Sequence, residues 1–157
     1  MKIYLASDHA GFKLKRELIE FLKSLSHEVV DKGPYTLDEA DDYPDFMVPV
    51  AELVQKGDCV GIIMGGSGQG EAMVANRFFG VRAAVYYGPA LQKSSGGQGL
   101  DDSLDIIRLS RQHNDANILS LGARFLTDEE AKNAVRVFLE TNFSGDERHK
   151  RRLAKID

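Results

Sequence analysis

The residues best suited to chemistry surround a glycine-rich turn. Val60–Gly61–Ile62–Ile63–Met64 is an apolar run that breaks at Gly65 into Gly66–Ser67–Gly68–Gln69–Gly70–Glu71, and a helical pattern opens at Ala72. A buried strand that feeds a glycine turn and then a helix points backbone N–H groups at an anion, with the helix dipole behind them. Glu71 is the odd residue there. A carboxylate suits the first turn of a helix but repels a phosphate bound at the same place. Either Glu71 only starts the helix, or the turn holds something that needs a base beside it. The glycines are spaced G-x-G-x-G, whereas a dinucleotide fingerprint needs G-x-G-x-x-G, and the Gly-Lys-Ser/Thr of a nucleotide P-loop is missing. That leaves a small phosphorylated or hydroxylated ligand, or a plain strand-to-helix connection.

Other groups can do chemistry. Asp8–His9 follows the first β-prone run, where side chains line a cleft or Asp8 caps a helix. His113–Asn114–Asp115 stands at a helix-to-strand break, as an acid–base histidine or as one favoured by the helix C-terminus. Arg148 and Arg152 are four apart in a basic run, so they share a helix face as a phosphate clamp or as a solvated surface. Asp8, His9 and His113 lack metal-type spacing, and no metal is expected. Cys59, early in a buried strand, reads as inert.

These groups need a scaffold. β-prone runs at 3–6, 27–31, 59–64, 81–87 and 117–121 alternate with helical patterns at 12–25, 46–55, 72–79, about 102–113 and behind Thr127. In the 12–25 segment Leu14, Leu18, Phe21, Leu22 and Leu25 share one face, with Lys13, Lys15, Arg16 and Glu17 largely on the other. Segment 36–45 is an acidic polar loop, and 94–99 is a Gly/Ser-rich loop. Thr127–Asp128–Glu129–Glu130 has the capping-box pattern. The alternation predicts α/β architecture: a three-layer αβα sandwich around a five-stranded parallel sheet, one domain over 1–157 with a helical tail from about 144. Ligands of such sheets bind beyond the carboxyl ends of the strands. Ser7–Asp8–His9, the 65–71 turn and Gly122–Ala123–Arg124 should therefore converge. His113 and Asn114 precede the fifth strand, so they belong at the opposite end or to a neighbouring subunit's site.

Composition narrows the class. Hydrophobic residues are 43% and charged residues 28%, ordinary for a globular chain. A net charge of −4 argues against a general nucleic-acid binder. No apolar run is long enough to cross a bilayer. The chain opens on a strand-like run instead of a signal peptide, and one cysteine fits a reducing cytoplasm.

Taken together, Ser7–Asp8–His9–Ala10–Gly11, Tyr43–Pro44–Asp45, Gly66–Ser67–Gly68–Gln69–Gly70, Ala75–Asn76, Arg82–Ala83–Ala84, the run from Ser110 to Asn117, Leu121–Gly122–Ala123–Arg124 and Arg148–His149 resemble the type B ribose-5-phosphate isomerase family. That family also holds the subunits of galactose-6-phosphate isomerase. The resemblance spans almost the whole chain, in order. It implies a Rossmann-like fold, aldose–ketose isomerisation of a sugar phosphate, no cofactor, and a homodimer or tetramer whose sites are built from two subunits. It places Asp8 and Tyr43 on sugar hydroxyls. It places His9, Arg124, Arg148 and Arg152 on the phosphate, some of them from the partner chain. His113, with Asn114 beside it, would help open the sugar ring, and Ser67 with the backbone of Gly66, Gly68 and Gly70 would stabilise an enediolate.

Many members carry a cysteine immediately before the glycine turn as the base at C2. Gly65 stands there in this chain, and Cys59 is too far upstream to replace it. The chain is similar instead to a branch with a glutamate where Glu71 stands, which makes Glu71 the expected base. The segment from about 87 to 107 is longer than is usual in the family. Three alternatives stay open: a six-carbon substrate (allose or galactose 6-phosphate), a non-catalytic sugar-phosphate-binding subunit, and a general nucleotide-binding module.

Overall fold

Short apolar runs become the strands β1 (Lys2–Ser7), β2 (Glu28–Asp31), β3 (Val60–Gly65), β4 (Ala83–Tyr86) and β5 (Ile118–Gly122) in a computed structural model that describes residues 1–89 and 104–157. They form one five-stranded sheet in the order β2-β1-β3-β5-β4, with every pairing parallel. The helices are α1 (Phe12–Ser24), α2 (Pro44–Val54), α3 (Gln69–Ala75), α4 (Asp105–Asn114), α5 (Asp128–Glu140) and α6 (Glu147–Leu153). This is the expected αβα sandwich. None of these helices is long and apolar enough to cross a membrane. The 94–99 loop and the start expected for the fourth helix lie outside the described residues.

The period of two along each strand sorts its side chains between two cores. Leu5, Ile62 and Leu121 face Leu18 and Leu22 of α1 and Val135 and Phe138 of α5. Ala6, Ile63 and Ile118 face Met47, Val50 and Val54 of α2 and Ala75 of α3. β3 is buried at every residue, as a central strand covered on both faces must be. Because α1, which follows β1, and α3, which follows β3, cover opposite faces, the connections after β1 and β3 diverge and open a crevice at their carboxyl ends. That is the topological switch point at which open α/β sheets bind ligands.

Several boundaries differ from those the sequence suggests. α2 starts at Pro44 instead of Phe46, because proline's fixed φ suits a first helical position. α3 stops at Ala75 instead of running to residue 79. There the Asn76 side chain leaves the helix and bonds both the N–H and the carbonyl of Ala83, at 2.7 and 3.0 Å. β4 is correspondingly short. Leu25 lies past the end of α1 and is exposed. The capping box of α5 is present, with both Thr127–Glu130 bonds made.

Lys15, expected on the solvent face of α1, is 1% exposed. Its ammonium donates to Asp31 at 2.6 Å and to the Pro34 carbonyl at 2.7 Å, which is why it can be buried. Asp31 also accepts the Gly33 N–H, so this ion pair anchors the connection leaving β2. Asp31→Ala strands a buried ammonium and should cost about 3 kcal/mol in urea unfolding.

Candidate active site

β1 ends at Ser7, and the chain turns through Asp8 and His9 into α1. The Asp8 N–H donates to the Met64 carbonyl at 3.1 Å and ties the ends of β1 and β3 together. The buried Asp8 carboxylate accepts the Gly11 N–H at 3.0 Å. Gly11, not Asp8, is the N-cap residue of α1, so Asp8 stiffens the turn ahead of the helix. His9 Nδ1 lies 2.6 Å from Asp41 Oδ1. That hydrogen bond is the main reason the His9 pKa is raised; burial opposes it, the Asp8 charge adds to it, and Arg124 opposes it. In the sequence Asp41 is only one acid of the polar loop. Its bond spans 32 residues, and a contact that distant leaves no local pattern to read.

The glycine turn is held from two sides. Gly68 takes φ +76°, a left-handed conformation that glycine adopts without steric cost. Its carbonyl accepts the buried Ser120 hydroxyl of β5 at 2.6 Å and the Ala72 N–H of α3 at 3.2 Å. Ser120 is a second supporting residue that periodicity conceals, because it occupies an ordinary inward position of a buried strand.

The Glu71 side chain folds back from α3 against the end of β3 and is 4% exposed. A Cβ at position 65 would stand 1.8 Å from Glu71 Oε1 and 2.3 Å from its Cδ. The carboxylate therefore fills the room that a side chain on residue 65 would need. Burial pushes the Glu71 pKa up, and the Asp8 charge adds to the rise against a hydrogen bond from its own backbone. A carboxyl tuned upward in this way is suited to general-base work near neutral pH.

After β5 the chain bends over the same turn. The Ala123 and Arg124 N–H groups donate to the carbonyls of Gly65 and Gly66, at 2.8 and 3.2 Å. The Arg124 guanidinium lies over Gly66, with Nη1 3.3 Å from where a Cβ would stand. Tyr43, just ahead of α2, covers Gly70, its Cζ 2.9 Å from the corresponding point. One crevice thus gathers Asp8, His9, Tyr43, Gly66, Ser67, Gly68, Gly70, Glu71 and Arg124. The three strand-end segments converge as expected.

The remaining candidates sit elsewhere in the chain. His113 is near the end of α4, and the Asn114 carbonyl accepts from Arg82, next to the start of β4. That is the amino end of the sheet. His113 stacks on the buried His149 of α6, with ring centroids 4.3 Å apart and an 11° interplanar angle. Arg148 and Arg152 project from α6 and are exposed. Cys59 also lies at the amino end; burial first, then Asp58, pushes its thiol pKa up, which suits an inert residue. Among the described residues, no group of three or more His, Cys, Asp and Glu is placed to hold a metal ion.

The reciprocal fit of Gly65 and Glu71 is directly testable. Gly65→Ala should displace the carboxylate toward solvent and bring its pKa back toward the ordinary carboxylate range, because burial is the main cause of its rise. An NMR titration of Glu71 measures this, and an unchanged midpoint would show that the two groups do not compete for this space.

The profile of the Ribose/Galactose Isomerase family matches residues 3–95 and 102–156. Ribose-5-phosphate isomerase B of Mycobacterium leprae is 37% identical over 154 residues, covering 98% of this chain and 86% of that protein. A probable ribose-5-phosphate isomerase B of Mycoplasma genitalium is 42% identical over 156 residues, covering 98% and 92%. Among solved structures, the Mycoplasma genitalium ribose-5-phosphate isomerase B with bound ribulose-5-phosphate superposes with a TM-score of 0.86 at 41% identity, covering 99% of this chain and 93% of that one. The Clostridium thermocellum ribose-5-phosphate isomerase B gives 0.85 at 41% identity, covering 99% and 95%. With sequence and fold in agreement over nearly its full length, the chain belongs to the ribose/galactose isomerase family.

Proposed function

We propose that this sugar-phosphate isomerase interconverts ribose 5-phosphate and ribulose 5-phosphate through an enediolate, with Glu71 as the base at C2. The observation that carries the reading is the buried Glu71 carboxylate, seated in the space left by Gly65 beside the glycine turn. The names of the relatives support the choice of sugar.

Ring opening comes first. His113 gives a proton to the ring oxygen as the bond from C1 to that oxygen breaks, the C1 hydroxyl gives its proton to solvent water, and the aldehyde forms. Glu71 then takes the C2 proton, and the electron pair moves through the C1–C2 bond onto the carbonyl oxygen. The turn's N–H groups and the Ser67 hydroxyl face that oxyanion, and one such donor is typically worth about 3 kcal/mol in the transition state. Glu71 returns its proton to C1, and the C2 hydroxyl becomes the ketone as its proton passes to O1. A carboxylate base in a water-poor site is an established arrangement for enediol isomerisation. Asp8 and Tyr43 orient the hydroxyls. His9 and Arg124 hold the phosphate, far from the reacting carbons, and supply binding energy for orientation.

His113, Asn114, Arg148 and Arg152 complete this site from a second copy of the chain. The support is topological: within one chain they lie at the amino end of the sheet, whereas Glu71 lies at the carboxyl end. A dimer or tetramer would bring the two ends together.

A coupled assay across ribose, allose and galactose phosphates should give the highest kcat/KM with ribose 5-phosphate; a six-carbon preference would overturn the choice of sugar. Glu71→Gln should lower kcat by about 10²–10⁴-fold, the worth of a general base, while inorganic phosphate still inhibits. Full activity would overturn the base. The same substitution should raise Tm at neutral pH. A carboxyl whose folded pKa is raised stabilises the fold only while protonated, and that contribution is lost as pH rises through the raised value. For the wild type, turnover should fall on acidification at a higher pH than an ordinary carboxylate would dictate.

Subunit sharing has its own test. Glu71→Gln and His113→Ala homo-oligomers should each be nearly inactive. After subunit exchange the mixture should recover up to about a quarter of wild-type activity, the random share of restored sites in a two-fold dimer. No recovery, with exchange shown by mass spectrometry, would place both residues in one chain's site.

A further inference from the structure

The proposed site leaves Asp41 without a role, although it lies 2.6 Å from His9, one of the proposed phosphate ligands. Among the described residues, three charged groups act on the His9 ring: Asp8 from its own turn, Asp41 from the 32–43 connection, and Arg124 from the turn after β5. Only Asp41 is bonded to it, Nδ1 to Oδ1 at 2.6 Å. The Asp41 side chain is 6% exposed, and its second oxygen is buried with no hydrogen-bond partner among the described residues. A carboxylate removed from water with one oxygen unsatisfied is costly as a lone anion. A positive charge on its single partner offsets that cost, so the pair is most stable as imidazolium and carboxylate. The His9 side chain is 29% exposed and open to a ligand. With Nδ1 committed to Asp41, an imidazolium still has its Nε2 proton to donate.

We infer that Asp41 is the positioning residue of the phosphate subsite, fixing the His9 ring and holding it as a cationic donor to the substrate's phosphate. This rests on the reading of His9 as a phosphate contact. Asp41 acts from a distance from the reacting carbons, so it governs binding and leaves proton transfer untouched. A neutral imidazole with only one N–H would have to share that proton between Asp41 and the phosphate. The pair prevents the competition by keeping both nitrogens protonated.

The test is a double-mutant cycle on the whole enzyme with ribose 5-phosphate, from about pH 5 to 9, the span over which a shifted histidine titrates. Asp41→Asn keeps the shape and removes the charge. It should raise KM about tenfold at pH values between the two His9 midpoints, where the variant's ring is neutral and the wild type's still cationic, the scale of a lost charge-assisted hydrogen bond, and leave kcat within about twofold. The rise of KM with pH should also begin at lower pH than in the wild type, because His9 then loses its proton earlier. His9→Ala should raise KM by at least as much, and the double variant should be no worse than His9→Ala alone. NMR titration of His9 in the free enzyme should show its midpoint falling in Asp41→Asn. An additive double variant would mean that Asp41 is only structural support, and overturns the inference. So would a wild-type His9 that titrates like a free histidine, a measurement that needs no variant to fold. If His9→Ala raises KM but Asp41→Asn changes neither KM nor its pH dependence, the Asp41 role fails and the phosphate reading stands. If His9→Ala leaves KM unchanged, the phosphate reading fails and the inference fails with it.

Discussion

A side chain on residue 65 and the Glu71 carboxylate compete for one space, and the site is arranged around that exclusion. A Cβ on residue 65 would fall 1.8 Å from the carboxylate oxygen. With glycine there, Glu71 can fold back from the first turn of α3 against the end of β3 and be almost wholly buried. Burial raises its pKa, and a raised pKa is what lets a carboxylate act as a base of useful strength. The same burial makes the ionised form a cost to the fold. The apolar strand and the tied turn must therefore hold in place, against the repulsion of the neighbouring Asp8 charge, a group that would be better solvated outside.

That support comes from parts of the chain remote in sequence. The Ser120 hydroxyl of β5 fixes the Gly68 carbonyl, and the N–H groups of Ala123 and Arg124 fix the carbonyls of Gly65 and Gly66. Asp8 ties β1 to β3 at the same level. The turn is thus cross-linked to both neighbours of β3, β1 on one side and β5 on the other. A glycine-rich segment that would otherwise be floppy becomes a rigid set of backbone donors, and such preorganisation is what makes donors effective toward a developing oxyanion.

The parallel topology also divides the molecule. Every strand points its carboxyl end to the same edge of the sheet, so residues that precede a strand lie at the other edge. His113, Asn114 and the α6 arginines fall on that far edge, together with the His113–His149 stack. No local adjustment brings them to Glu71. A site using both sets needs two chains, and the proposed pairing of a carboxyl end with a partner's amino end follows from this division.

Much of this was legible in the chain. Alternating runs of period two and period 3.6 specify strands, helices and a parallel sheet, because burial on both faces leaves a pattern in consecutive residues. The topology rule then brings Asp8, the glycine turn and Arg124 together. Even the oddity of Glu71 beside Gly65 can be noticed from their spacing. What the sequence alone could not show was the depth of the Glu71 burial, the Asp41–His9 bond, the Ser120 tie to the turn and the buried Lys15–Asp31 pair. Each joins a residue to a partner 6 to 52 positions away. Local patterns record which face a residue takes; they carry no record of which distant polar group meets it there. Only the packed chain decides that, because a buried charge or hydroxyl is tolerated only where the fold delivers its partner.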